Sequence, residues 1–117
     1  MAKFKLDLLE SINQLQAHPR EFITLFQHGS LEVELYQPYL KDNQEPHTRD
    51  EVYIIARGSA TYTLEGVQTS VSQGDFLFAP AHKEHRFDSF SDDFCTWVLF
   101  YGPTGGEKGP IINHQNP

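Results

Sequence analysis

Glu45-Pro46-His47-Thr48-Arg49-Asp50-Glu51, followed after six further residues by Gly58, decides what this chain can fold into. A second stretch answers it: Gly74-Asp75-Phe76-Leu77-Phe78-Ala79-Pro80-Ala81-His82-Lys83-Glu84-His85. His47, Glu51 and His85 offer two imidazoles and a carboxylate, a set suited to a divalent first-row metal ion. Glu45 sits two residues before His47, so on a strand it points the same way.

Spacing sets a condition on this site. On one straight strand His47 and Glu51 would lie about 13 Å apart, at a rise of ~3.3 Å per residue. Ligands of one ion need bonds of only about 2.0–2.2 Å. The chain must therefore bend between them, and the polar Thr48-Arg49-Asp50 suits a bend. Glu51 then opens a strand with Tyr53 and Ile55 following it inward, and His85 comes from another strand, after a stop at Pro80, with Phe87 following inward.

Outward from these stretches the pattern is β. Phe22 to Phe26 is a short apolar run ended by a turn at His28-Gly29-Ser30. Leu31, Val33 and Leu35 alternate with Glu32, Glu34 and Tyr36, which reads as a strand with one wet face. Val52 to Ala56 is a strand closed by Arg57-Gly58. Thr61 to Leu64 and Val67 to Val71 flank the hairpin signal Glu65-Gly66. Phe76 to Ala79 is short. Phe94 to Tyr101 is apolar or aromatic on both faces except for Thr96, so it calls for cover on both sides, the second from another subunit. Ahead of all this, Leu8, Leu9, Ile12 and Leu15 repeat at helical spacing, with Asp7 and Glu10 as a capping signal and His18-Pro19 as a stop. Residues 103–117 are rich in Gly and Pro and read as a tail. The expected organisation is a helical extension over 1–20, a β-barrel over 21–102 and the tail over 103–117. Many short strands with regular turns imply a sandwich or closed barrel rather than a parallel sheet.

Composition narrows the partners. A chain of 117 residues suits one core. A formal charge of −7 argues against nucleic acid, whose phosphates demand a basic face. No apolar run is long enough for a membrane span. Lys3, Lys5, Asp7 and Glu10 interrupt any signal-peptide core, and the single Cys95 suits a reducing compartment, so a cytoplasmic protein is expected.

The two stretches resemble the paired motifs of the cupin superfamily. The family's first motif has a His-x-His pair, a Glu after three or four residues, and a Gly after six more. Glu45-Pro46-His47, Glu51 and Gly58 follow it, with Glu45 in place of the first His. Its second motif has a Gly, five residues, Pro-x-Gly, two residues and a His, to which Gly74, Pro80 and His85 correspond, with His82 at the second Gly. Ser89 stands where the family has a closing Asn. The resemblance covers roughly residues 22–101 and implies an all-β fold, an antiparallel jelly-roll barrel, preceded here by the short helix. It implies His47, Glu51 and His85 as ligands of one divalent transition metal (Fe, Mn, Zn or Ni). Glu45 is either a fourth ligand or a neighbour of the ion able to serve as general base.

The remaining residues have plainer readings. His18, His28 and His114 are surface residues, His82 a loop residue, and Cys95 a buried strand residue. Tyr53, Tyr62, Phe76, Phe78, Phe87, Trp97 and Phe100 are core by default. Arg49, Arg57 and Arg86 are the available cations for an acidic substrate. The function expected is a metal-binding cupin acting on a small molecule, through a dioxygenase- or isomerase-type reaction, as a homodimer. The alternative is a non-catalytic module in which a metal is structural or holds a ligand.

Overall fold

The computed structural model describes residues 3–18 and 20–116. Helix α1 (Leu8–Gln16) precedes strands β1 (Phe22–His28), β2 (Leu31–Tyr36), β3 (Asp50–Arg57), β4 (Ser59–Leu64), β5 (Val67–Ser72), β6 (Phe76–Ala79), β7 (His85–Phe90) and β8 (Cys95–Tyr101). All strand pairs are antiparallel, in a five-stranded sheet ordered β1-β2-β8-β3-β6 and a three-stranded sheet ordered β5-β4-β7.

Asp7 caps α1 as its sequence suggests. Its carboxylate accepts the Glu10 N–H at 2.9 Å, satisfying one of the donors left free at a helix start. The helix ends at Gln16, with Ala17 as its cap and the His18 ring on the Gln14 carbonyl. The Pro19 half of the expected stop lies outside the described residues. Ile12 and Leu15 are buried against Leu35, Ala56 and Cys95, whereas Leu9 is exposed. Truncating either buried side chain to Ala would cost about 2–5 kcal/mol.

The register decides which face is interior. Across β2, β8 and β3, Glu32, Phe100 and Glu51 form one row; Glu34, Val98 and Tyr53 the next; Tyr36, Thr96 and Ile55 a third. Residues opposite one another in a pair share a face. Tyr36, Tyr53, Ile55 and Val98 pack with Tyr62, Val71 and Phe87 of the other sheet, so these rows face the space between the sheets. Leu35 and Cys95 face the opposite way, under α1.

This corrects the expectation for β2. Glu32, Glu34 and Tyr36 point between the sheets, and the apolar side of the strand faces outward. A period of two separates the faces of a strand but does not say which one meets water. The doubly apolar β8 lies between β2 and β3, which take its edges and leave its two faces to be covered separately. Its inward residues join the core, and α1 packs against Cys95 and Trp97 from outside. Among the aromatic residues taken as core, Phe76 is 65% exposed.

Gly58 closes β3 at φ +76°, and a Cβ there would meet Phe94 Cα at 2.9 Å and Ser91 Oγ at 2.3 Å. Only glycine meets both demands without strain. The tail docks irregularly: the Gly105 N–H reaches the Thr48 carbonyl at 2.6 Å and the Glu107 N–H reaches Asp50 Oδ2 at 2.7 Å.

Candidate metal centre

Three elements converge on one point between the sheets. His47 comes from the irregular segment before β3, Glu51 from β3, and His85 from the first position of β7 in the other sheet. One ligand atom from each lies within 4.8 Å of the others. The bend that the spacing demanded falls at Thr48 and Arg49, and β3 begins at Asp50. Tyr53 and Ile55 follow Glu51 inward and Phe87 follows His85 inward.

The donor atoms are left without partners. Glu51 is 1% exposed, and both its carboxylate oxygens lack a hydrogen bond, as do His47 Nε2 and His85 Nε2. His85 Nε2 comes to 3.0 Å from Glu51 Oε1 and His47 Nε2 to 3.7 Å. The 3.0 Å approach is close enough for a hydrogen bond but is not aligned as one. His85 Nδ1 lies 2.8 Å from the Lys83 carbonyl. A carbonyl only accepts, so Nδ1 carries a proton, which leaves Nε2 as the nitrogen that can bind an ion in the neutral ring. An unpaired buried carboxylate costs several kcal/mol, and a cation bound among these atoms would offset that. The residues therefore fit a divalent ion.

The surroundings also set the charge of the neighbouring groups. Burial lowers the His85 pKa, but the Glu51 carboxylate and the Lys83 carbonyl more than offset this, and the net shift is upward. Burial and the Glu51 charge raise the Tyr53 hydroxyl well above its ordinary range, so it is a neutral donor, bonded to Gln44 Oε1 at 3.0 Å.

Glu45 does not join the cluster. It is exposed and outside the group of converging ligand atoms. The idea that Glu45 and His47 share a strand face fails because residues 42–47 form no strand. Pro46 between them has no N–H to give to a ladder. His82 is an exposed loop residue at φ +66°, the left-handed conformation in which a glycine is at ease, and its N–H donates to the His47 carbonyl at 2.7 Å. Ser89 bonds Thr61 rather than the site. Arg49 is paired with Glu32 at 3.3 Å, and Arg86 with Glu84 and Asp88.

Several residues that hold the site carried no signal in the sequence pattern. Asp42 is buried and accepts from the Tyr36 hydroxyl at 2.7 Å, the Phe87 N–H at 2.8 Å and the Gln44 N–H and Nε2 at 3.1 Å each. It thereby joins the loop before His47 to β7, the strand of His85. Asp50 accepts from the Ala81 N–H at 3.0 Å and from Glu107, tying the start of β3 to the loop before His85 and to the tail. A cavity of about 390 Å³ opens beside His47, lined in part by Glu34, Tyr36, Gln44 and Phe100. An Asp in a loop or a Glu on an alternating strand is ordinary; only long-range contacts distinguish these.

The profile of the Cupin domain family matches residues 31–101. The chain belongs to the cupin family. An uncharacterized protein of Streptomyces coelicolor is 31% identical to this cupin over 105 residues, spanning 88% of this chain and 98% of that protein. Among solved structures, a cupin-2 domain containing protein from Shewanella frigidimarina superposes with a TM-score of 0.65 at 12% identity, covering 83% of this chain and 94% of that one. KdgF from a Halomonas species gives 0.61 at 22% identity, covering 68% and 76%. At these identities the structural likenesses show the fold alone. No helix among the described residues is long and apolar enough to cross a membrane.

Proposed function

We propose that this cupin holds one divalent transition metal ion through His47, Glu51 and His85 and presents it to a small molecule entering beside His47. The observation that carries this is the set of four buried, unpartnered donor atoms converging from both sheets. In this reading Glu45 stays outside the ligand set. Two neutral imidazoles and one carboxylate would leave a divalent ion with net positive charge, and that ion would supply Lewis acidity or a place for oxygen chemistry on the substrate. A dioxygenase- or isomerase-type reaction is the activity we assign. The chain's own part is to exclude water with the Tyr53, Tyr62 and Phe87 core, to hold the His85 tautomer through Lys83, and to keep the Tyr53 hydroxyl protonated.

The two sheets are read as the halves of a jelly-roll barrel over residues 21–102. A homodimer is part of the proposal. Phe4, Leu6, Phe26, Leu31, Ile54 and Leu99 form an apolar groove on the outer side of the larger sheet, and two-fold dimers are the commonest way to cover such a face.

Elemental analysis of protein purified without chelator tests the metal centre. About one ion per chain is expected, falling sharply in His47→Ala and His85→Ala proteins that remain folded. Unchanged stoichiometry in both variants would overturn the assignment.

A further inference from the structure

The cavity beside His47 is lined by acidic and aromatic side chains. Glu34 and Glu21 line it together with Phe22, Tyr36 and Phe100, and no Lys or Arg among the described residues does. Glu34 points inward in the row of Val98 and Tyr53, one step along from the row of Glu51. Its carboxylate accepts a long hydrogen bond from Thr24 at 3.4 Å and forms no ion pair among the described residues. The nearby guanidinium of Arg49, 5.7 Å from the centre of the Phe100 ring, is held by Glu32 and the Ser30 carbonyl. Glu21 is already bonded to the Tyr39 N–H at 2.7 Å, which leaves Glu34 as the group in want of a partner.

We propose that this cavity selects a small molecule bearing a cationic ammonium group, held by Glu34 among the rings of Phe22, Tyr36 and Phe100, with its oxygen donor turned toward His47. The orientation rests on the metal-centre reading; the charge preference does not. β2 and β3 lie about two strand spacings apart, roughly 10 Å, so one small molecule can span from Glu34 to the donor cluster. A carboxylate in a partly dry cavity attracts a cation more strongly than in water, and aromatic faces add to that attraction.

The protonation behaviour of Glu34 agrees. Burial and the charge of Glu32 push its carboxyl from 4.5 to about 7, with a smaller push from Glu51 and an opposing pull from the Thr24 hydrogen bond. A bound ammonium reverses that push, so the preference strengthens as pH rises through neutrality. The other titratable or charged groups toward this cavity are Glu32, paired with Arg49; Glu51 and Tyr53 of β3; Tyr36 of β2; Glu21; and Asp42 and His47 of the loop.

Calorimetric titration with choline, its neutral isostere 3,3-dimethylbutan-1-ol and the anion 3,3-dimethylbutanoate tests this at pH 8, in zinc-loaded and metal-free protein. Choline is expected to bind about tenfold tighter than the alcohol in both forms, on the order of one desolvated cation contact. The anion should be weakest in the metal-free form. Glu34→Gln should bring choline and the alcohol together, while Glu21→Gln retains most of the difference. Equal binding of choline and the alcohol, no measurable choline binding, or an unchanged preference in Glu34→Gln would each overturn the proposal. A choline preference in protein that takes up no metal would sink the metal centre and leave this inference standing; metal uptake without the preference would do the reverse.

Discussion

Glu51 Oε1 and His85 Nε2 come to 3.0 Å across the space between the two sheets without forming a hydrogen bond. Two buried polar atoms so close and so poorly aligned are arranged for a third party. The energetic consequence is that the metal-free protein keeps the Glu51 carboxylate in its interior with only the two imidazoles close to it, and a cation that binds there stabilises the fold.

Chelator treatment should therefore destabilise the protein. An ion present at a hundred times its Kd stabilises by about 2.7 kcal/mol. For a chain of this size that corresponds to a fall of roughly 10 °C in Tm when the ion is removed. Calorimetric scans before and after chelation measure it, and restoration by added Zn or Mn completes the test. Identical scans would contradict a bound ion.

Glu45→Gln should leave metal content and affinity unchanged within about twofold, because the exposed Glu45 lies outside the ligand cluster. Glu51→Gln should abolish binding, since it removes the only carboxylate in that cluster. Competition with a coloured chelator measures both. A large loss in Glu45→Gln would show that the loop closes on the ion.

Asp42→Ala should cost about 3 kcal/mol in urea unfolding. It strands the Phe87 N–H and the Tyr36 hydroxyl, both in buried surroundings, and removes two bonds from Gln44. Metal affinity should fall with it, because the His47 loop loses its tie to β7. A change under 1 kcal/mol would mean water replaces the carboxylate.

Glu34→Gln should stabilise the protein at pH 8 and not at pH 5. The carboxyl is pushed up from 4.5 to about 7 in the folded state. Between those values the folded protein binds more protons than the unfolded one, so stability is lost as pH rises from about 4.5 through about 7. The group remains partly exposed, and after solvent screening the gain is about 1 kcal/mol. Equal effects at both pH values would remove charge as the cause.

Leu99→Asp should shift light-scattering mass from dimer to monomer while the far-UV spectrum persists, because Leu99 lines the outer groove and not the core between the sheets. A monomeric parent protein at micromolar concentration would reject the dimer.

What the sequence determined by itself was local in origin. Turn residues such as Glu65-Gly66 and alternating apolar positions specify strands through backbone sterics and the two-residue period, so seven of the eight strands lie over segments read as β, and β7 starts at the residue expected to supply a ligand from a further strand. The Asp7 cap depends on a neighbour three residues away and was equally legible. Even the bend at Thr48-Arg49 followed from bond lengths and strand rise. The tertiary structure alone decided the rest. Which face of β2 is interior depends on its pairing with β8, sixty or more residues on, and no period of two encodes it. The position of Glu45 outside the donor cluster, the ties made by Asp42 and Asp50, and the lack of a counter-ion for Glu34 among the described residues all rest on long-range contacts. A carboxylate has the same identity whether it caps a loop, holds a strand or waits in a cavity; its surroundings, assembled from distant segments, set its role.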